Sequence, residues 1–349
     1  MADHFDDARL DDPEALATAD ASLRWLAGSG ARVRLEAGGA QEAIAGLSGD
    51  GSPRAIVAAG ADARLLRAVL EPWCPVPFVA WPGSGLPGWA GALDLVIVLA
   101  PGGGDAETAS AVREAVRRGC SLITACPARS VLAEHAEGRH SSLLPTQTDD
   151  TLAVAVGMLQ ALHAIGVGPE LDADAVASVL DAVAVDCSPH HDISSNPAKD
   201  IALFLADAAP LVWGGSVLAA RAARRVAEAI RRTTGRPALA ADAGHLLPVL
   251  DQASTRDLFA DPFADAFADA EHGSSRPGLL LLDDGTEDPT VREHRGALTA
   301  AAATHDIRHQ TIAATEGPGT ARYAALLTTG RYAATYLGVG LGRTNPDQP

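Results

Sequence analysis

The stretch 94–126 constrains the fold most, because it reads as one complete βαβ unit. Residues 95–100 form a continuous apolar run, as a parallel strand buried on both faces requires, and residues 106–118 keep small and apolar side chains at helical spacing. Gly102, Gly103 and Gly104 fall just before that helix, where backbone amides can bind an anion. The stretch predicts a parallel α/β sheet with a candidate anion-binding turn.

Length and charge narrow the class of protein. A chain of 349 residues is more typical of two compact domains than of one. The net charge of −17 argues against nucleic acid or an anionic membrane as the main partner, since either requires a basic surface. The start of the chain is acidic, and no apolar run approaches the length of a membrane span. We therefore expect a cytoplasmic protein with no membrane and no nucleic-acid partner.

The four cysteines support a reducing compartment. Cys74, Cys120, Cys126 and Cys187 have neither CxxC nor zinc-ligand spacing, and most lie in or beside apolar segments. Free buried thiols are therefore expected rather than disulfides or a zinc site.

The strand and helix pattern occurs twice along the chain. After a helical leader, the first half predicts four strands alternating with helices, followed by two amphipathic helices over 149–165 and 172–185. The second half predicts a strand over 209–215, a long helix over 216–234, three further strands and two final helices. The predicted parts are a helical leader (1–50), a first domain (51–185), a joint (186–205) and a second domain (206–349). Two doubly wound sheets would place ligands at the carboxyl ends of their strands.

One segment of the second half has its own repeat. Residues 259–273 repeat Phe-Ala-Asp every four residues, which places the phenylalanines on one helix face. The repeat fits a short amphipathic helix on an insertion, and it also fits a lid over a site.

The order of several motifs resembles the bifunctional phosphoglucose/phosphomannose isomerases, which are built from tandem sugar isomerase (SIS) domains. The motifs are the leader around 5–33, the βαβ unit, Asn196-Pro197-Ala198-Lys199 with Ile201-Ala202, the strand 210–214, and Gly330-Arg331-Tyr332 with Tyr336-Leu337. The resemblance covers nearly the whole chain. It implies two tandem SIS-type doubly wound parallel-sheet (three-layer αβα) domains that meet around 185–205, with Lys199 at their interface.

The resemblance also implies a site for a sugar phosphate. In the family, a loop rich in serine and threonine holds the phosphate, and its counterpart here is 100–108. The implied substrate-binding residues are Gly102, Gly103, Gly104, Thr108, Gly214, Gly215, Ser216, Arg221 and Lys199. Three hydroxyls of the family loop are missing. Asp105 places a carboxylate where the phosphate would bind, and two like charges at ~4 Å repel by roughly 1–4 kcal/mol.

The implied catalytic residues are Glu228 and His245. Aldose–ketose isomerisation needs a carboxylate that moves a proton between C1 and C2, and an imidazole that helps to open the ring. Family members have an arginine seven residues before the glutamate and a histidine about sixteen residues after it. Arg221, Glu228 and His245 keep this spacing, but the late lysine of the family has no counterpart. Glu228 also fits an ion pair with neighbouring arginines on its helix, and His245 also fits a residue that packs or caps a helix start.

No metal and no cofactor are expected. His190, His191 and Asp192 are adjacent, but neighbouring histidines in an extended segment point in opposite directions, and the sequence offers no third ligand at a useful spacing.

Two functions remain open from the sequence. The first is isomerisation of hexose 6-phosphates (glucose, mannose and fructose 6-phosphate), with Glu228 as the base and His245 assisting ring opening. The second is a non-catalytic, regulatory or binding protein for a sugar phosphate on the same scaffold. The resemblance also implies a homodimer, because the family builds its site across a subunit interface.

Overall fold

The computed structural model describes residues 4–47, 52–253 and 276–343. The chain forms two compact units, one made of Met1–Gly28 with Val179–Pro349 and the other of Ser29–Ser178. Each unit contains one parallel sheet, which confirms the predicted α/β class with two doubly wound domains. The segment 259–273 lies outside the described residues.

The described strands and helices alternate along the chain. The strands are β1 (Ile56–Ala59), β2 (Phe78–Trp81), β3 (Leu95–Leu99), β4 (Ser121–Cys126), β5 (Ser141–Pro145), β6 (Ala209–Gly214), β7 (Leu239–Ala240), β8 (Pro277–Asp283) and β9 (His309–Ala313). The helices are α1 (Pro13–Ala17), α2 (Asp20–Ala27), α3 (Ser29–Gly39), α4 (Gln41–Ala45), α5 (Arg67–Trp73), α6 (Ala106–Arg118), α7 (Val131–His135), α8 (Thr151–Ala164), α9 (Ala173–Asp186), α10 (Pro197–Leu205), α11 (Val217–Thr234), α12 (Ala243–Asp251), α13 (Pro289–Thr304) and α14 (Gly319–Gly340).

Sheet A, in the Ser29–Ser178 unit, has the strand order β2-β1-β3-β4-β5. Its central strand β3 is buried along its whole length, as the apolar run predicted. Val112 and Ala115 of α6 join Val96 and Val98 of β3 in one buried cluster. The small side chains of α6 let the helix lie close to the sheet, so that the βαβ unit forms the core of this unit.

Two features of this unit differ from the prediction. The edge strand β5 was missed because only Leu143 and Leu144 in its sequence are strongly apolar, and an edge strand needs fewer buried side chains. Helix α8 is buried on almost all sides rather than on one face, because it packs against α3 and β3 within its own unit. It is a core helix and leaves no wide apolar face exposed.

Sheet B, in the other unit, has the strand order β7-β6-β8-β9. Helix α11 follows β6 and ends at Gly235, whose φ of 70° suits glycine. After β9, the described residues form one long helix, α14, where the sequence predicted two. Gly330 lies against Val226 of α11 so closely that a Cβ there would stand 2.3 Å from a Val226 methyl carbon. This contact lets α14 pack along α11.

The N-terminal segment is attached to the end of α14. The Arg9 Nε donates a hydrogen bond to the Val339 carbonyl at 2.7 Å, and the Asp6 amide donates to the Gly340 carbonyl at 3.0 Å. The ring of Phe5 occupies the space that a side chain at Gly340 would need. These contacts explain why Met1–Gly28 belongs to the same unit as sheet B.

Candidate ligand-binding site

The topology of sheet B defines a crevice between two strands. From β6 the chain moves to β7 on one side, and β8 then pairs with β6 on the other side. In open parallel sheets, ligands bind at the carboxyl ends of the strands where the direction of winding reverses. The segments that follow β6 and β8 are therefore the first place to look for a site.

The turn after β6 is built from Gly214, Gly215 and Ser216. A Cβ on Gly214 would lie 2.2 Å from the Ala219 carbonyl carbon, so only glycine lets α11 begin this close to the strand. The Ser216 hydroxyl oxygen accepts a hydrogen bond from the Ala219 amide at 3.0 Å and caps the helix, a role in which serine is common.

Asp284, which the sequence did not single out, lies opposite this turn. The Ser216 hydroxyl donates to its carboxylate at 2.5 Å, which joins the ends of β6 and β8. The Asp284 residue is only 5% exposed, and Arg322 donates to its backbone carbonyl. The sequence does place a carboxylate at the end of a buried strand, which could have pointed to Asp284. Its partner Ser216, however, is 68 positions away in the sequence.

A pocket of about 410 Å³ opens beside the same turn. Its lining residues are Thr286, Glu287, Val291, Arg292 and Arg295. A Cβ on Gly215 would lie 2.2 Å from a Val291 methyl carbon, which shows that the pocket wall contacts the glycine turn. The pocket therefore lies next to the glycine turn at the carboxyl edge of sheet B, with Val291 between them.

Charged groups dominate this pocket. The Arg295 guanidinium donates to the Asp283 carboxylate at 2.6 Å, and this hydrogen bond lowers the pKa of Asp283. Arg292 donates to the Glu287 carbonyl at 3.1 Å. The pocket thus presents two guanidinium groups, and Glu287 is the acidic residue of its lining.

In sheet A, the corresponding glycine turn is followed by Asp105, whose carboxylate caps helix α6. Gly103 and Gly104 have φ values of 89° and 80°, which bring Asp105 to the start of α6. The Asp105 carboxylate accepts a hydrogen bond from the Thr108 amide at 2.7 Å. That amide, and then the Thr108 hydroxyl, lower the pKa of Asp105. The carboxylate therefore occupies the helix N-terminus that the sequence proposed for a phosphate.

Replacing Asp105 with alanine is expected to destabilise the protein by about 1 kcal/mol at pH 7, the usual cost of losing a helix N-cap. Because folding lowers the pKa of Asp105, its stabilisation is present above the unfolded pKa of about 4 and disappears as the pH falls through the folded pKa. Urea unfolding of wild type and Asp105→Ala at pH 7 and pH 3 checks this. A difference that stays constant across this range would contradict the assignment.

Glu228 lies on α11 among arginines. Its carboxylate accepts a hydrogen bond from Arg225 at 2.9 Å, and Arg232 lies 3.8 Å away. The Glu228 side chain is 38% exposed. Arg221, two helical turns earlier, lies on the same face, and Tyr323 is buried beside these charges with its pKa raised to about 12 by burial. Glu228 therefore occupies a surface ion-pair network of the kind that the sequence left open.

His245 lies apart from this network. It is exposed in the first turn of α12, just after β7 and thus at the carboxyl edge of sheet B. Glu228 stands about 18 Å along the helix axis from Ser216, at 1.5 Å per residue. Among the described residues, no hydrogen bond or ion pair joins Glu228 to His245.

Lys199 is completely buried in the unit that contains sheet B. Its ammonium donates to the Asp11 carboxylate at 2.8 Å, to the His191 carbonyl at 2.6 Å and to the Pro189 carbonyl at 3.1 Å. It also lies 5.6 Å from the centre of the Tyr336 ring. An ammonium has three N–H donors, and all three are used within the protein.

Comparison with known proteins supports the resemblance seen in the sequence. Residues 194–347, less than half of the chain, match the family model of the bacterial phospho-glucose isomerase C-terminal SIS domain. No curated protein matches this sequence.

Several solved structures have the same fold over almost their full lengths. Tagatose-6-phosphate ketose/aldose isomerase from Escherichia coli is 13% identical, with a TM-score of 0.59 over 97% of this chain and 96% of that one. A glucose-6-phosphate isomerase like protein from Thermus thermophilus is 16% identical, with a TM-score of 0.51 over 97% and 94%. The C-terminal domain of glucosamine-fructose-6-phosphate aminotransferase from Francisella tularensis is 13% identical, with a TM-score of 0.56 over 91% and 96%.

The chain has the tandem SIS fold. The SIS segment that matches the family model begins before α10 and includes β6, the glycine turn, the pocket, Glu228 and His245. The candidate site of sheet B therefore belongs to the part of the chain that matches the phospho-glucose isomerase C-terminal SIS domain model.

Metal-binding clusters and membrane-spanning helices are both absent from the described part of this chain. In the described ranges, no group of three or more His, Cys, Asp or Glu side chains is arranged to hold a metal ion. Over the same residues, none of the helices has the length and apolar character needed to span a membrane.

Proposed function

We propose that this SIS protein binds a sugar phosphate at the carboxyl edge of sheet B and acts in carbohydrate metabolism. The observation that carries the proposal is the open pocket beside the Gly214-Gly215-Ser216 turn, at the winding reversal of the unit that matches a phospho-glucose isomerase domain. Small-molecule sites occur at such reversals and have volumes of about 300–1,000 Å³.

Calorimetric titration of the full chain tests this proposal. Fructose, glucose and mannose 6-phosphates are titrated in parallel with the unphosphorylated hexoses. We expect binding heats for at least one phosphorylated sugar and none for the hexoses. Absence of binding by all three phosphates would overturn the proposed function.

The geometry favours binding over turnover. An isomerase base needs a carboxylate that reaches the C1 and C2 protons, whereas the Glu228 carboxylate is bonded to Arg225. His245 is exposed and not bonded to Glu228. Asp105 fills the helix N-terminus of the other sheet. These three features support a non-catalytic, ligand-binding or regulatory SIS protein.

Isomerisation of hexose 6-phosphates is the second candidate. It is supported by the presence of both Glu228 and His245 within the segment that matches the isomerase model. If the protein isomerises fructose 6-phosphate, Glu228→Gln is expected to reduce the rate by ~100-fold or more, because an amide cannot accept the C1 proton of the ketose and return it to C2.

A coupled assay that detects glucose and mannose 6-phosphate measures this loss. Glu42→Gln, at an exposed glutamate of α4, is the matched control and is expected to retain full activity. Equal activity in Glu228→Gln and wild type would exclude Glu228 as the base.

We also propose that the protein is a cytoplasmic homodimer. The resemblance to isomerases that build their site across a subunit interface supports the dimer. The four free cysteines support the cytoplasm, because its reducing conditions keep thiols free. Sedimentation velocity at micromolar concentration tests the assembly, and a single monomer boundary would contradict it.

A further inference from the structure

At each of the two candidate turns, one amide at the start of the following helix is already bonded to a side chain of the protein. In sheet A, the Asp105 carboxylate accepts the Thr108 amide. In sheet B, the Ser216 hydroxyl accepts the Ala219 amide and is itself held by Asp284. These two amides and the Ser216 hydroxyl are therefore engaged, and side chains beside the sheet B turn are the next donors to consider for a phosphate group.

The pocket beside Gly215 supplies such donors. Arg292 and Arg295 both line it, and Thr286 adds a hydroxyl. Within the described part of the chain, each guanidinium makes one hydrogen bond, Arg292 to the Glu287 carbonyl and Arg295 to Asp283, out of five N–H donors. The Arg295 Nε is also buried and has no partner among the described residues.

We infer that the phosphate group of the sugar phosphate binds in this pocket, between Arg292 and Arg295. The inference rests on the proposed function and names the part of the site that recognises the anion. Guanidinium groups bind phosphate oxygens through paired, charge-assisted hydrogen bonds. Arg295 is ion-paired with Asp283 and would contribute its remaining N–H donors, while Arg292, bonded to a neutral carbonyl, would contribute a positive charge as well. The sugar then extends toward the Gly215 side of the pocket, where the Val291 side chain meets the turn.

The pocket contains both basic and acidic side chains, so one substitution should weaken phosphate binding and another should strengthen it. Glu287 opposes an anion in the pocket, so its neutralisation should tighten binding. Arg292 is exposed and its side chain is bonded to one carbonyl, so its replacement should leave the fold intact. Misfolding could explain weaker binding by one variant, but it could not also explain tighter binding by the other.

The experiment is calorimetric titration of fructose 6-phosphate and of inorganic phosphate into the full chain. Arg292→Gln is expected to weaken binding at least about tenfold, and Glu287→Gln to tighten it several-fold. Arg117→Gln removes the same charge from an exposed arginine of α6 and is expected to bind as wild type does. Circular dichroism melts confirm that the variants are folded.

The outcomes separate the inference from the proposed function. If wild type binds fructose 6-phosphate while Arg292→Gln and Glu287→Gln bind it equally well, the inference is overturned and the proposed function stands. Tighter binding by Asp105→Thr with no effect of Arg292→Gln would move the phosphate to the sheet A turn and overturn it too. If inorganic phosphate binds and depends on Arg292 but no sugar phosphate binds, the anion pocket stands and the proposed function fails. Binding of neither probe overturns both.

Discussion

Replacing Gly214 with alanine is expected to lower the free energy of unfolding by about 3 kcal/mol or more. The added Cβ would lie 2.2 Å from the Ala219 carbonyl carbon and 2.3 Å from its oxygen, and a helix backbone cannot move aside as a flexible side chain can. Urea unfolding followed by circular dichroism measures the change. The start of α11 would have to shift, so ligand binding should be lost in the same variant.

The matched control is Gly296→Ala. Gly296 lies in the interior of α13, and a Cβ there has open space around it. Alanine is the better helix former, so this variant is expected to be more stable by up to about 1 kcal/mol. A loss of stability at Gly214 no larger than about 1 kcal/mol would mean that the turn is not as tightly packed as described.

Replacing Lys199 with methionine is expected to destabilise the protein by about 3 kcal/mol. Methionine approximates the length of the side chain but removes three hydrogen bonds and leaves Asp11 and two carbonyls without their donor. Losing one partner of a buried ion pair costs about 3–5 kcal/mol, and we expect the lower end because Asp11 is 46% exposed and regains water. Equilibrium unfolding in urea gives the value.

Asp11→Asn provides the comparison for Lys199. It keeps an acceptor oxygen for the buried ammonium, so its cost should be about 1 kcal/mol. If Lys199→Met were as mild as Asp11→Asn, the buried ammonium would not be the main attachment of the N-terminal segment to α10.

The sequence predicted the elements whose pattern is local. The βαβ unit was read correctly because β3 is buried on both faces and α6 keeps a strict helical spacing. The limits of α11, predicted over 216–234, also depend on local residues, since Ser216 caps its start and Gly235 ends it with a positive φ. The edge strand β5 lacked such a pattern.

The candidate site could be predicted only in part, for a physical reason. The glycine turn after β6 is a local signal, and it does adjoin a pocket. The pairing of Ser216 with Asp284 depends on β8 lying next to β6, which no local pattern specifies. That Asp105 opposes a phosphate stays a prediction, whereas its role as the cap of α6 follows from the geometry of Gly103 and Gly104.

The most direct test of the central claim is a crystal structure of the protein in complex with fructose 6-phosphate. We expect the ligand in the crevice between the carboxyl ends of β6 and β8, beside Gly215 and with its phosphate within hydrogen-bond distance of Arg292. Density for the sugar phosphate at the Gly102–Gly104 turn of sheet A, with the sheet B crevice empty, would contradict the account.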